Sequence, residues 1–101
     1  MDKIYTVTTF EKFEKRENFF PETGYVRTIG WYPEEEMARN SVLRNACDMN
    51  ETIYEYAMIE ELEGGLYPNV VRKWFFKFNR PTRTYEEIEE IKELKGLVSI
   101  G

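Results

Sequence analysis

Arginine and aromatic side chains interleave along this chain in a pattern that suits ligand capture without covalent steps. Trp31, Trp74, Tyr54, Tyr56 and Tyr67 offer π-faces on which a nucleobase can stack, and Arg27, Arg44 and Arg72 offer guanidinium groups that fork onto phosphate. One base–aromatic stack contributes about 1–3 kcal/mol and a guanidinium fork about as much, so two of each would reach micromolar binding once immobilisation of the ligand is offset. The same residues also suit a plainer role, with the rings as core and the arginines as its rim.

Other chemistries are thin. The chain has no histidine and one cysteine, Cys47, so the clusters that hold zinc cannot form. Asp48-Met49-Asn50 opens like a calcium loop, but the sixth position is Ile53 instead of glycine and the twelfth is Ile59 instead of glutamate. Cys47 lacks an imidazole base and follows the C-terminal end of a predicted helix, where the dipole does not activate a thiol; it reads as a small buried side chain. Seventeen glutamates make carboxylate pairs inevitable and therefore uninformative. No glycine-rich phosphate loop occurs. The reading is a non-enzymatic chain with no catalytic residue, no metal and no cofactor.

A net charge of −5 disfavours long nucleic acid but leaves room for a small anion. Charge is unevenly placed: Arg72, Lys73, Lys77, Arg80 and Arg83 occur without an acid among them, and Glu86, Glu87, Glu89, Glu90 and Glu93 follow. No apolar run is long enough for a bilayer span or a secretory signal, which with the lone cysteine points to the cytosol and away from membranes.

The elements that must position these residues form one domain over 1–101, as the length suggests. Strands are expected at 4–13, 25–32, 53–62 and 70–78 from their alternation and β-branched or aromatic content. In the second of these, strict alternation puts Tyr25, Arg27, Ile29 and Trp31 on one face. Pro33 and Glu34, Glu35 and Glu36 start a helix over 33–45, whose small face is Ala38, Ser41, Val42 and Asn45. Beyond Pro81 two readings compete. Thr84 with Glu87 forms a capping box, and Tyr85, Ile88, Ile91 and Leu94 trace a stripe before Gly96, which favours a second helix; alternatively 83–88 returns as a strand beside 70–78. The expected fold class is α+β, a mainly antiparallel four- to five-stranded sheet with one helix on a face and a second, C-terminal helix. Open sheet edges would favour a homodimer.

Three stretches, Arg27-Thr-Ile-Gly-Trp31-Tyr32 before a helix, Tyr54 to Pro68 (YEYAMIEELEGGLYP), and Trp74-Phe-Phe-Lys-Phe-Asn79, resemble a group of small uncharacterised phage and prophage-carrying gut-bacterial proteins. Those share a GWY, helix, YAVIEE-EGLYP, WYKW outline. The resemblance implies a fold and a mobile-element source, hence a counter-defence protein in the host bacterial cytosol that sequesters a small cyclic nucleotide signal. The alternative it leaves is an acidic inhibitor of a host defence protein, with Glu34–Glu36, Glu60–Glu63 and Glu86–Glu90 imitating nucleic acid.

Overall fold

A computed structural model describes residues 3–14, 22–63, 70–92 and 94. In chain order these contain β1 (Lys3–Phe10), β2 (Val26–Tyr32), α1 (Glu35–Leu43), a single 3-10 turn (Ala46–Asp48), β3 (Tyr56–Glu63), β4 (Val70–Asn79) and β5 (Thr84–Ile88). The strands form one antiparallel sheet in the order β2-β1-β3-β4-β5, with α1 packed on one face: an α+β fold.

Alternation along β1, β3 and β4 sorts the aromatic residues onto two faces. On the helix-covered face Val7, Ala57, Ile59, Phe76 and Phe78 meet Ala38 and Val42 of α1. All four small residues expected on the helix face, Ala38, Ser41, Val42 and Asn45, are buried, and small side chains let the helix lie close to the sheet. On the opposite face Phe10, Met58 and Phe75 pack with Leu94. Phe10 stacks on Tyr56 at 5.1 Å between ring centroids, nearly parallel.

The second helix does not form; 84–88 is the return strand. β4 would otherwise leave Phe75–Asn79 open at the sheet edge, and β5 pairs along it with Tyr85 opposite Phe78. The turn closes through the Arg83 N–H donating to the Asn79 carbonyl at 2.8 Å, with Arg83 in the left-handed region. The Thr84 hydroxyl bonds that of Thr82 instead of capping a helix, and Glu87 pairs with Arg39. A capping box contributes about 1 kcal/mol, whereas burying the Tyr85 ring contributes roughly 1.5–3 kcal/mol. Tertiary burial outweighs the local signal.

β3 starts at Tyr56, three residues later than alternation suggests. The Ile53 and Tyr54 N–H groups both donate to the Asn50 carbonyl, which withdraws them from the ladder. In β2 the register shifts opposite Val7 and Thr8, with Gly30 paired to Val7 and Thr28 to Thr8, so Ile29 is an extra residue. That bulge reverses the alternation. Arg27 shares a row with Thr9 on the helix-covered face, while Trp31 pairs with Thr6 on the opposite face, correcting the expectation that they lie together.

Candidate functional site

Where arginine does meet tryptophan, carboxylates are already in place. On the helix-covered face the Arg72 guanidinium lies 5.0 Å from the Trp74 ring centroid and that of Arg39, from α1, lies 5.8 Å away. Arg72 donates to Glu61 Oε1 through Nε at 3.1 Å and Nη2 at 2.7 Å. Lys3 reaches the other oxygen at 3.2 Å. Glu35 pairs with both Arg39 (3.2 Å) and Arg72 (3.6 Å). Burial pushes the Glu61 carboxyl up, but hydrogen bonds from Arg72, Lys3 and Tyr5 outweigh it and hold the group below the usual carboxylate range. The Tyr5 phenol is pushed up by burial and by the Glu61 charge. Arg72 moves up through its bond to Glu61, in agreement with its partner. This is a self-neutralised cluster, and an incoming phosphate would have to displace a carboxylate.

A cavity of about 280 Å³ lies elsewhere on the same face, between β2, α1 and the segment that follows the helix. Val7, Ile29, Tyr32 and Met49 give it apolar walls; Arg27, Glu51, Ser41 and Cys47 are its polar and thiol groups. Arg27 Nη1 donates to Glu51 Oε2 at 3.0 Å, and both side chains are about half exposed, at 60% and 46%. The loop beneath is unusual: Asn45, Cys47, Asp48, Glu51 and Thr52 all take left-handed backbone conformations. Asn45 and Asn50 brace it, since Asn45 Nδ2 donates to Asn50 Oδ1 at 2.9 Å and the Asn50 N–H donates to Asn45 Oδ1 at 3.0 Å, both buried.

Of the eight residues proposed from sequence to bind a ligand, Arg72 and Trp74 touch each other and Arg27 alone lines the cavity. Trp31 stands exposed on the opposite face. Tyr56 is on that face too, stacked on Phe10, with Lys77 Nζ 5.7 Å from its ring. Tyr54 is buried and uses its carbonyl, not its ring, as an anchor: the Tyr85 hydroxyl donates to it at 2.7 Å. Arg44 is the exposed C-cap of α1, and Tyr67 lies outside the described residues. Among the described residues no single surface gathers the other seven.

Two further expectations change. Cys47 is exposed, because its left-handed backbone turns it out of the core, and Glu60 and Glu61 are fully buried, so the 60–63 run is not a surface acid patch. Arg39, Glu51 and Glu61 are the interacting residues the sequence reading missed. The register of β3 on β4 places Glu61 opposite Arg72, a cross-strand pairing that becomes visible once those strands are aligned. Among the described residues no cluster suited to a metal ion occurs, and no helix is long and apolar enough to cross a membrane. The chain matches no protein-family model, and no curated protein or solved structure is similar to it.

Proposed function

We propose that the protein is a non-enzymatic binding protein that grips a protein target by adding the target's strand to β2. The observation that carries this reading is the longer and less charged of the two edges. Natural edge strands are blunted by shortness, charge, proline or a bulge. β5, at the other edge, has five residues and two are glutamates. β2 has seven, its one charged residue, Arg27, is turned toward Glu51, and the bulge at Ile29 interrupts it between 26–28 and 30–32.

Exposed large apolar side chains concentrate there: Tyr25 at 74%, Trp31 at 61%, Val26 and Ile29 near 40%. The Glu11 N–H donates to the Tyr25 carbonyl, so the alternation of an antiparallel ladder turns the N–H and C=O groups of Val26 and Thr28 outward. Among the described residues no strand pairs with that side. At one end of the strand Glu14 and Glu22 are both paired with Lys12, and beyond the other stand Glu34 and Glu36. An apolar strand with a basic residue at the end near Glu34 and Glu36 is the complementary partner, read as an edge of a basic host defence protein in the bacterial cytosol. The resemblance to phage and prophage sequences supports that setting.

The test compares tagged wild type with Val26→Pro and Trp31→Lys, expressed in bacterial cells, with Lys92→Ser as surface control. Val26→Pro removes an outward N–H without taking a bond from β1. The expected result is one basic protein retained by wild type and by Lys92→Ser and lost from both β2 variants, with unchanged circular dichroism. Retention by both β2 variants refutes strand addition; a β2-dependent dimer by sedimentation, without a target, replaces the target with a second copy.

A second reading, capture of a small nucleotide signal, keeps one observation: Arg27 borders the cavity. Cyclic nucleotides or ADP-ribose derivatives bound tightly, and recovered intact after denaturation, would favour it over strand addition.

A further inference from the structure

We infer that the cavity beneath β2 is a site for a small organic anion, a carboxylate or phosphate carried on a short apolar stem. The site takes Arg27 and Ile29 from β2, but Trp31 and Val26 face away from it, and the inference stands whether or not β2 takes a strand. Its volume of about 280 Å³ gives room for roughly ten non-hydrogen atoms at the ~30 Å³ that a water occupies in the liquid. The walls of Val7, Ile29 and Met49 suit an apolar stem.

The charge preference follows from how the two ionic groups are held. Arg27 sits within a strand bonded along β1, so its guanidinium is presented from a fixed backbone and can make two parallel bonds to a carboxylate. Glu51 sits in the left-handed loop and is half exposed, so it can turn to water when a ligand takes its place. An exposed ion pair is a weak competitor. Exchange of Glu51 for a ligand anion therefore leaves no buried charge behind, and the stem gains contact with the walls.

Cys47 reports on occupancy because it lines the cavity and is the chain's one thiol. In thiol–disulfide exchange its thiolate attacks one sulfur of a symmetric disulfide, forms a mixed disulfide and releases the other half as a thiolate. Three reagents deliver stems of equal length: dithiodipropionate leaves a carboxylate, cystamine an ammonium and hydroxyethyl disulfide a neutral hydroxyl.

With the three reagents equilibrated with the folded protein as an equimolar mixture, and only a trace of 2-mercaptoethanol to start exchange, the carboxylate is expected to occupy Cys47 about tenfold more than the hydroxyl, by intact mass. That preference would run against the chain's net charge of −5. It should vanish in guanidinium chloride and in Arg27→Met, and persist in reduced form in Arg27→Lys. Equal occupancy by the three reagents, preference for the ammonium, or a carboxylate preference that survives Arg27→Met overturns the inference. The wild-type comparison decides even if a variant is unstable.

Discussion

Removing only the hydroxyl of Tyr85 should loosen the loop that presents Glu51. The hydroxyl donates at 2.7 Å to the Tyr54 carbonyl, and both residues are buried, at 1% and 8% exposure. Tyr85→Phe keeps the ring and its edge contact with Phe78, 5.2 Å between centroids. What is lost is one hydrogen bond, a net ~0.5–1.5 kcal/mol, with a further cost because a buried carbonyl is stranded. A total of about 1.5 kcal/mol lowers Tm by roughly 6–12 °C in a domain of this size. Thermal unfolding followed by circular dichroism measures it. Hydrogen exchange at Ile53 and Tyr54, whose N–H groups both donate to Asn50, should accelerate in parallel. The alkaline limb gives a second readout. Burial first, then the Glu55 and Glu51 charges, push the Tyr85 phenol above its ordinary value of 10.0. Such a group stabilises the fold fully below the unfolded pKa and loses that contribution as pH rises through the folded one, so wild type should weaken above about pH 10. Tyr85→Phe should weaken less, with Tyr5, also raised, supplying the remainder. A Tm within about 2 °C of wild type, with unchanged loop exchange, would show that the loop does not depend on this bond.

Glu61 has the opposite sign. Its folded pKa is depressed below the ordinary 4.5, so its contribution is present above that value and is lost as pH falls through the folded pKa; the urea midpoint of wild type should drop below about pH 4.5, and that of Glu61→Gln should be flatter there. Gly24→Ala forces a side chain onto a backbone with φ of +68° and puts its Cβ 2.9 Å from Glu11 Cβ; a loss of about 1–2 kcal/mol in urea unfolding is expected. The two tryptophans should separate cleanly in the same assay. Trp31→Ala, on an exposed ring, should cost less than about 1 kcal/mol, and Trp74→Ala, half-buried against Tyr5 and beneath two arginines, about 2–3 kcal/mol.

Much of the fold was legible because its dominant forces are periodic. The alternation of Tyr5 and Val7 against Thr6, Thr8 and Phe10 sorts β1 between two covered faces, and the small face of α1 states which of its side chains go inside. Three features were not legible. The bulge at Ile29 adds one residue without changing composition, yet it sends Trp31 to the face opposite Arg27. β5 carries a valid helix signature that loses to the open edge of β4, a competitor invisible in the local segment. Cys47, Glu51 and Thr52 take left-handed backbone that their types do not announce, although Asn45, Asp48 and Asn50 nearby are the residues that tolerate or brace such turns. The expected binding site failed to assemble on the first of these. One inserted residue is enough to dissolve a constellation inferred from strict alternation.

The pairing of arginines also bears on which function the chain can support. Arg27, Arg39, Arg72 and Arg80 each already contact a carboxylate: Glu51, Glu35 with Glu87, Glu61 with Glu35, and Glu55. Phosphate binding at any of them is an exchange of one anion for another, so its net gain is the difference between two similar bonds. Where the displaced carboxylate is buried, as at Glu61, the exchange strips it of its Arg72 bonds, leaves it with Lys3 and Tyr5, and is opposed. Where it is exposed on a loop, as at Glu51, the exchange is nearly free, which favours anion binding at the Arg27 cavity over the Glu61 cluster. Strand addition at β2 needs no such exchange. Its outward N–H and C=O groups trade bonds with water for bonds with a partner, and the exposed faces of Tyr25 and Trp31 are removed from water in the same step. The charge pairing that closes most of the helix-covered face to ligands thus leaves the edge strand as the surface from which binding energy can be drawn.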